Sequence, residues 1–217
     1  MEADKTLPKL SDEEIRVLGA LLEKSKTTPD YYPLSLNALT AACNQKSSRK
    51  PVVEYSEEIV LSAVKSLKGR SLAATAIGDS IRTTKYKHNF STLFPLTNGE
   101  IAILCLLFLR GAQTPGELNT NSGRLHEFQS LESVHEALNK LADAQPPMVR
   151  VLSRRAGQKE TRYIQLFGNY VEVTGDETVS DQKITETNNV EARLSALEME
   201  LAQVKESVNK LMKELMG

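Results

Sequence analysis

The loop Asn44–Pro51 gathers Lys46, Arg49 and Lys50 with the amides of Asn44 and Gln45, and no acid occurs between Asp30 and Glu54. Cations clamp phosphate oxygens and amides pair with base edges, so this composition suits contact with a nucleic acid. A solvated connector has the same composition. Two further basic clusters lie downstream. Arg82, Lys85 and Lys87 follow Gly78-Asp79-Ser80. Arg150, Arg154, Arg155, Lys159 and Arg162 surround Ala156-Gly157-Gln158, with Glu160 alone opposing them. On the strands and tip of a hairpin, such side chains reach backbone phosphates.

Catalytic chemistry finds no comparable concentration of groups. His88, His126 and His135 are scattered, and no Ser-His-Asp or paired-carboxylate arrangement is suggested. The glycines form neither a phosphate loop nor a dinucleotide fingerprint. Cys43 and Cys105 make no metal-ligand spacing and no disulfide framework. Both lie in apolar helical patterns and are expected as buried thiols. A non-enzymatic protein without metal or cofactor is therefore expected.

The elements that must position the basic groups occur twice. Leu10-Ser11-Asp12-Glu13-Glu14-Ile15 returns as Leu96-Thr97-Asn98-Gly99-Glu100-Ile101. Each copy begins with a hydroxyl residue followed three places on by glutamate, the capping-box pattern that starts a helix. Each is followed by a Thr-Pro turn, a short second helix, a capped third helix and two strands.

In the first unit helices are predicted over 11–26 and 35–44, with one apolar face each. A third follows Ser56, with Ile59, Val60, Val64 and Leu67 inward and Gly69 as its end. Strands over 72–77 and 81–88 complete it. The second unit predicts helices over 98–109, 114–121 and 131–143, and strands over 149–154 and 161–167. Thr84-Lys85-Tyr86 and Thr161-Arg162-Tyr163 correspond in type and place.

The fold class so predicted is mainly α with small β-hairpin wings. It comprises two tandem winged-helix (helix-turn-helix) domains over 1–95 and 96–168, an acidic flexible linker over 169–189, and a C-terminal coiled-coil helix over 190–217. Val190, Leu194, Leu197, Leu201, Val204, Val208, Leu211 and Leu215 alternate spacings of four and three, which makes a coiled-coil seam. With Leu194 at an a position, Arg193 faces Glu198 and Glu200 faces Lys205 across a parallel pair, favouring a homodimer. An amphipathic helix folded back on its own domains is the alternative.

Charge divides along the chain. Residues 1–95 hold 14 Lys/Arg against 11 Asp/Glu, residues 96–168 hold 8 against 7, and residues 169–217 hold 5 against 10. The paired units are mildly basic, below the usual balance of a dedicated DNA-binding domain. Glu57, Glu58, Glu132 and Glu136 at the third helices oppose a phosphate backbone, which suits a protein partner instead. The longest apolar run, Ile101 to Leu109, is too short to span a bilayer, and the first residues lack the apolar core of a signal peptide. A cytoplasmic protein without membrane association is expected.

Three strings carry a family resemblance. Residues 27–47 (TTPDYYPLSLNALTAACNQKS), 110–118 (RGAQTPGEL) and 124–128 (RLHEF) closely resemble the YceH family of bacterial proteins. The resemblance spans about residues 8 to 168. It implies tandem winged helices and carries no biochemical activity with it. The partners expected from the residues are thus double-stranded DNA, a second copy of the chain, and, as the alternative to DNA, a protein bound by the winged helices acting as an adapter.

Overall fold

Three helices and a strand pair follow one another twice along the chain, with a short strand after the first helix in the first copy and an isolated bridge residue, Gln113, in the second. The computed structural model describes residues 6–76, 84–153 and 160–169. The first repeat comprises α1 (Asp12–Thr27), a 3-10 turn (Pro29–Tyr31), β1 (Leu34–Ser35), α2 (Leu36–Cys43), α3 (Glu57–Gly69), β2 (Ala73–Ala76) and β3 (Lys85–His88). A short helix, α4 (Phe90–Leu93), leads into the second repeat. That repeat comprises α5 (Asn98–Arg110), α6 (Pro115–Ser122), α7 (Leu131–Asp143), β4 (Val149–Val151) and β5 (Tyr163–Gln165). Residues 170–217, with the coiled-coil positions Val190 to Leu215, lie outside the described residues, as do Arg82, Arg154, Arg155 and Lys159.

Capping sets the helix starts. Ser11 Oγ accepts the Glu14 N–H at 3.3 Å while the Glu14 carboxylate accepts the Ser11 N–H at 2.7 Å. Thr97 and Glu100 repeat the exchange at 3.3 and 2.8 Å. Each box satisfies two amide donors that a helix start leaves without partners. The strands correspond as well. In the first repeat β3 lies between β1 and β2, with Leu34 opposite Tyr86. In the second, Gln113 and Tyr163 exchange backbone hydrogen bonds at 3.1 and 2.8 Å, beside the β4–β5 pair. Tyr86 and Tyr163 are both 8% exposed, so the two tyrosines anchor equivalent strands.

The halves at 1–95 and 96–168 share one apolar core and belong to one compact unit. α1 packs against both α3 and α5. Its residues 14–22 are consequently buried all round, where periodicity alone predicts a single apolar face. α5 is buried from Gly99 to Leu109, as a helix apolar on every side must be. The two helices cross at Gly19, where an added Cβ would stand 2.9 Å from Leu109 Cδ2 and 3.0 Å from Phe108 Cβ. Cys105 Sγ approaches the Gly19 carbonyl oxygen at 3.5 Å. A side chain at residue 19 would require Leu109 and Phe108 to give way.

The chain ends of this unit also meet. Leu10 N–H donates to the Phe167 carbonyl at 2.7 Å, and Lys9 Nζ donates to the Leu166 carbonyl at 3.0 Å. Gln165 Oε1 accepts the amides of Phe167 and Gly168 at 2.6 and 2.9 Å, closing the last turn. Phe167 thereby enters a cluster with Phe90, Phe94 and Phe108.

One residue of α3 departs from the predicted face. Ile59 is 41% exposed, while Val60, Ala63, Val64 and Leu67 are buried. It borders an open groove against Ser11 and Glu13, at the start of α1, where the two helices have not yet closed together. On α2, Leu36 is only half-buried while Leu39, Ala42 and Cys43 are buried.

Candidate nucleic-acid interface

The basic loop after α2 is built from two buried arginines. A helix ends with carbonyls that lack partners, and at α2 these are taken by guanidinium groups. Arg49 donates to the Ala42 carbonyl through Nε at 3.1 Å and Nη2 at 2.9 Å. Arg16 donates to the Cys43 carbonyl at 3.1 Å and, through its other amino group, to the Pro51 carbonyl at 2.6 Å. The Asn44 amide brackets Tyr55 from both sides, donating to its carbonyl and accepting its N–H, each at 2.8 Å. The loop is therefore pinned at its start, its middle and its end.

Arg49 makes further bonds that remove it from the predicted contact set. Its two amino groups fork onto Glu23 at 3.0 and 2.6 Å and also reach the Ser48 carbonyl and Gln45 Oε1, each at 2.9 Å. Its side chain is fully buried. A bidentate pair of this kind fixes geometry strongly, so the guanidinium of Arg49, expected to contact phosphate or bases, is instead turned inward and shapes the loop. Burial works to raise the Glu23 carboxyl, but the bonds and charge of Arg49 outweigh it and hold the carboxyl below its ordinary range. Nothing in the local sequence distinguishes Arg49 from its neighbours, because its partner lies 26 residues away.

Lys46 and Lys50, by contrast, are exposed. Lys50 places the loop against the second repeat, its backbone N–H donating to the Leu109 carbonyl at 2.9 Å. Arg110, the last residue of α5, donates from Nη2 to Ser48 Oγ at 3.0 Å. Sequence reasoning missed both Arg110 and Arg16. Arg110 carries a signal that could have found it, as a cation ending an otherwise apolar helix; Arg16, set among Ile15 and Val17, carries none beyond its apolar setting.

The hairpin cations differ among themselves. Lys85 and Lys87 project from one side of β3, Lys85 half-buried and Lys87 exposed. Arg162 is partly exposed and pairs with Glu117 at 2.8 and 2.9 Å while donating to the Ala112 carbonyl at 3.0 Å. Glu117 also accepts the Thr114 N–H at 2.9 Å as the capping glutamate of α6. Burial acts to raise its carboxyl, whereas the Thr114 amide, Arg162 and the charge of Lys50 lower it further than burial raises it. Arg150 lies half-buried on β4. Arg162 of the second repeat thus pairs with Glu117, and the charge of Lys50 from the first acts on the same carboxylate.

The remaining reactive side chains are tied into packing. His88 Nε2 lies 3.1 Å from Ser25 Oγ, and its backbone N–H donates to the Tyr32 hydroxyl at 2.6 Å. Burial, aided by Lys26 and Lys87, pushes the His88 imidazole down to about 4, so it is neutral at pH 7. His126 packs edge-on against Phe128 with ring centroids 4.6 Å apart. Cys43 and Cys105 are free and buried, as expected. Burial pushes the Cys43 thiol up to about 12 and raises that of Cys105 as well. Such thiols lack the thiolate character that reactive cysteines need. Among the described residues no three metal-ligating side chains gather, and no helix is long and apolar enough to cross a membrane.

Comparison with known proteins agrees with the family resemblance. The model of a family described as "Protein of unknown function, DUF480" matches residues 10–158. A "UPF0502 protein" of Opitutus terrae is 48% identical over 175 residues, covering 80% of this chain and 76% of its own. "UPF0502 proteins" of Shewanella pealeana and Shewanella loihica are 43% and 44% identical, each pairing 94% of this chain with 98% of theirs. On the family match and these near full-length relatives, the chain belongs to the DUF480 family of bacterial proteins.

Proposed function

We propose that this chain is a non-enzymatic tandem winged-helix protein that binds duplex DNA. Helix, short strand, two helices and a strand pair form the order of a winged helix. In this reading α3 and α7 are the third helices of the motif, and the strand pairs are the bases of the wings. The observation that carries the DNA assignment is the placement of the basic loop. Lys46 and Lys50 stand exposed on a loop that buried arginines hold in shape, beside Arg110 and near the Arg162 strand. A loop already held in shape loses little backbone freedom when its cations meet phosphate.

A labelled duplex titrated with the full chain tests this by anisotropy. Binding should weaken about a hundredfold as salt rises from about 50 to about 200 mM, because each phosphate contact releases a counterion. No binding at the lower salt would overturn the assignment.

A second reading, an adapter that binds a protein, is favoured by one specific feature. Glu57 and Glu58 are exposed at the start of α3, and Glu132 and Glu136 are exposed on α7, where a DNA-reading helix would meet phosphate. Absence of duplex binding would leave this reading standing. In either case the heptad seam over 190–217 is proposed to pair two chains in parallel. Sedimentation at twice the chain mass, falling to one after removal of that segment, is the expected result; a full-length monomer refutes it.

A further inference from the structure

We infer that Arg110, delivered from the second repeat onto the loop of the first, is a phosphate-contacting residue of the duplex-binding face. The inference rests on the DNA assignment above and adds to it a contact made across the two repeats.

Arg49 fixes the positions on either side of it. With its guanidinium turned inward to Ala42 and Glu23, its exposed neighbours Ser48 and Lys50 are held toward solvent. Ser48 adopts φ 59°, a left-handed conformation that costs a non-glycine residue free energy and needs surrounding structure to hold it. That support comes from the bonds of Arg49 and from the Lys50 amide on the Leu109 carbonyl. Arg110 then donates one hydrogen bond from Nη2 to Ser48 Oγ, in a pair exposed to solvent.

Arginine has five donors in a planar fork, and the Ser48 bond occupies one of them. The carboxylate whose charge acts on Arg110 is already committed, since Glu23 takes both amino groups of Arg49 and also lies 3.4 Å from Lys24. Burial pushes the Arg110 guanidinium down; the charge of Glu23 pulls it up by more than that of Arg49 pushes it down, without offsetting burial. Its charge is thus partly desolvated, and a phosphate oxygen would relieve it. Ser48 Oγ can donate to the same phosphate while accepting from Arg110, and Lys46 and Lys50 flank the position. A planar fork with free donors is the group suited to phosphate recognition.

Duplex anisotropy on the full chain, at several salt concentrations, tests the inference with two variants. Arg110→Gln should weaken binding about five- to tenfold at about 50 mM salt and reduce the steepness of the log–log salt dependence by about one. Arg110→Lys should retain that steepness, because it keeps the charge. A parent chain that binds, with Arg110→Gln unchanged in both affinity and steepness, overturns the inference while leaving the DNA assignment intact. Equal losses of steepness in both variants also overturn it, since charge would then not be the cause. A parent chain that fails to bind removes the DNA assignment itself, and the inference with it.

Discussion

An Arg49→Ala chain should unfold with about 3–5 kcal/mol less free energy than the parent, read from urea midpoints, the scale expected when one partner of a buried ion pair is removed. The Arg49 side chain has no exposed surface and that of Glu23 is 14% exposed. Truncation leaves the largely buried Glu23 carboxylate facing an empty space with Lys24, at 3.4 Å, still beside it, and frees the Ala42 carbonyl at the end of α2. Adding Glu23→Gln to the same chain should recover part of the loss, because the charge that lost its principal partner goes with it. The pair also fixes a pH dependence. The folded-state carboxyl of Glu23 lies below its ordinary range, so its stabilisation is present above an unfolded value of about 4.3 and is lost as pH falls through the lower folded one. Parent and variant should therefore converge in acid. A deficit under about 1 kcal/mol at pH 7 would mean that Arg49 is not a structural anchor.

That an arginine of the basic loop proves to be its buried support shows where sequence stops being legible. Local rules carried far. The third helix of the second repeat lies over 131–143 as its pattern predicts, and the hydroxyl–glutamate boxes start α1 and α5. These features depend on residues three or four apart, whose interactions any helix contains. Arg49 depends on Glu23 in another helix, and a cation in a polar loop has the same sequence signature whether it faces solvent or a carboxylate. α1 gave the same kind of difficulty. Its pattern marks one buried side, while Gly19 and the close approach of Leu109 bury the other. The helix α4 is only four residues long and carries no periodicity to detect. Of the candidate site, the loop cations Lys46 and Lys50 were legible from charge alone; Arg110 becomes visible only once the loop is placed on the end of α5.

Phe167→Ala should cost about 3–5 kcal/mol, and its larger consequence concerns cooperativity. Phe167 has no exposed surface and stands 5.7, 5.6 and 5.3 Å, centroid to centroid, from Phe90, Phe94 and Phe108. Two of those rings approach it edge-on, at 87°, an arrangement that adds to simple area burial. Phe90 and Phe94 belong to the segment between the repeats and Phe108 to α5, while the Phe167 carbonyl holds Leu10 ahead of α1. The cavity left by truncation would touch both repeats at once. Unfolding followed by far- and near-ultraviolet circular dichroism should therefore remain a single transition, displaced to lower denaturant with its slope unchanged. Phe167→Leu, which leaves the smaller void, should displace it less. Two transitions, of which only one moves, would mean that the repeats unfold as separate domains. The shared core makes the opposite demand, because α1 has one side against its own repeat and the other against α5. Losing the second partner would expose the side of α1 that carries Gly19 and Leu22, which lies against Phe108, Leu109 and Ile101 of α5 in the folded chain. A first repeat standing alone would have to carry that apolar surface in water, and its stability would fall with the area exposed.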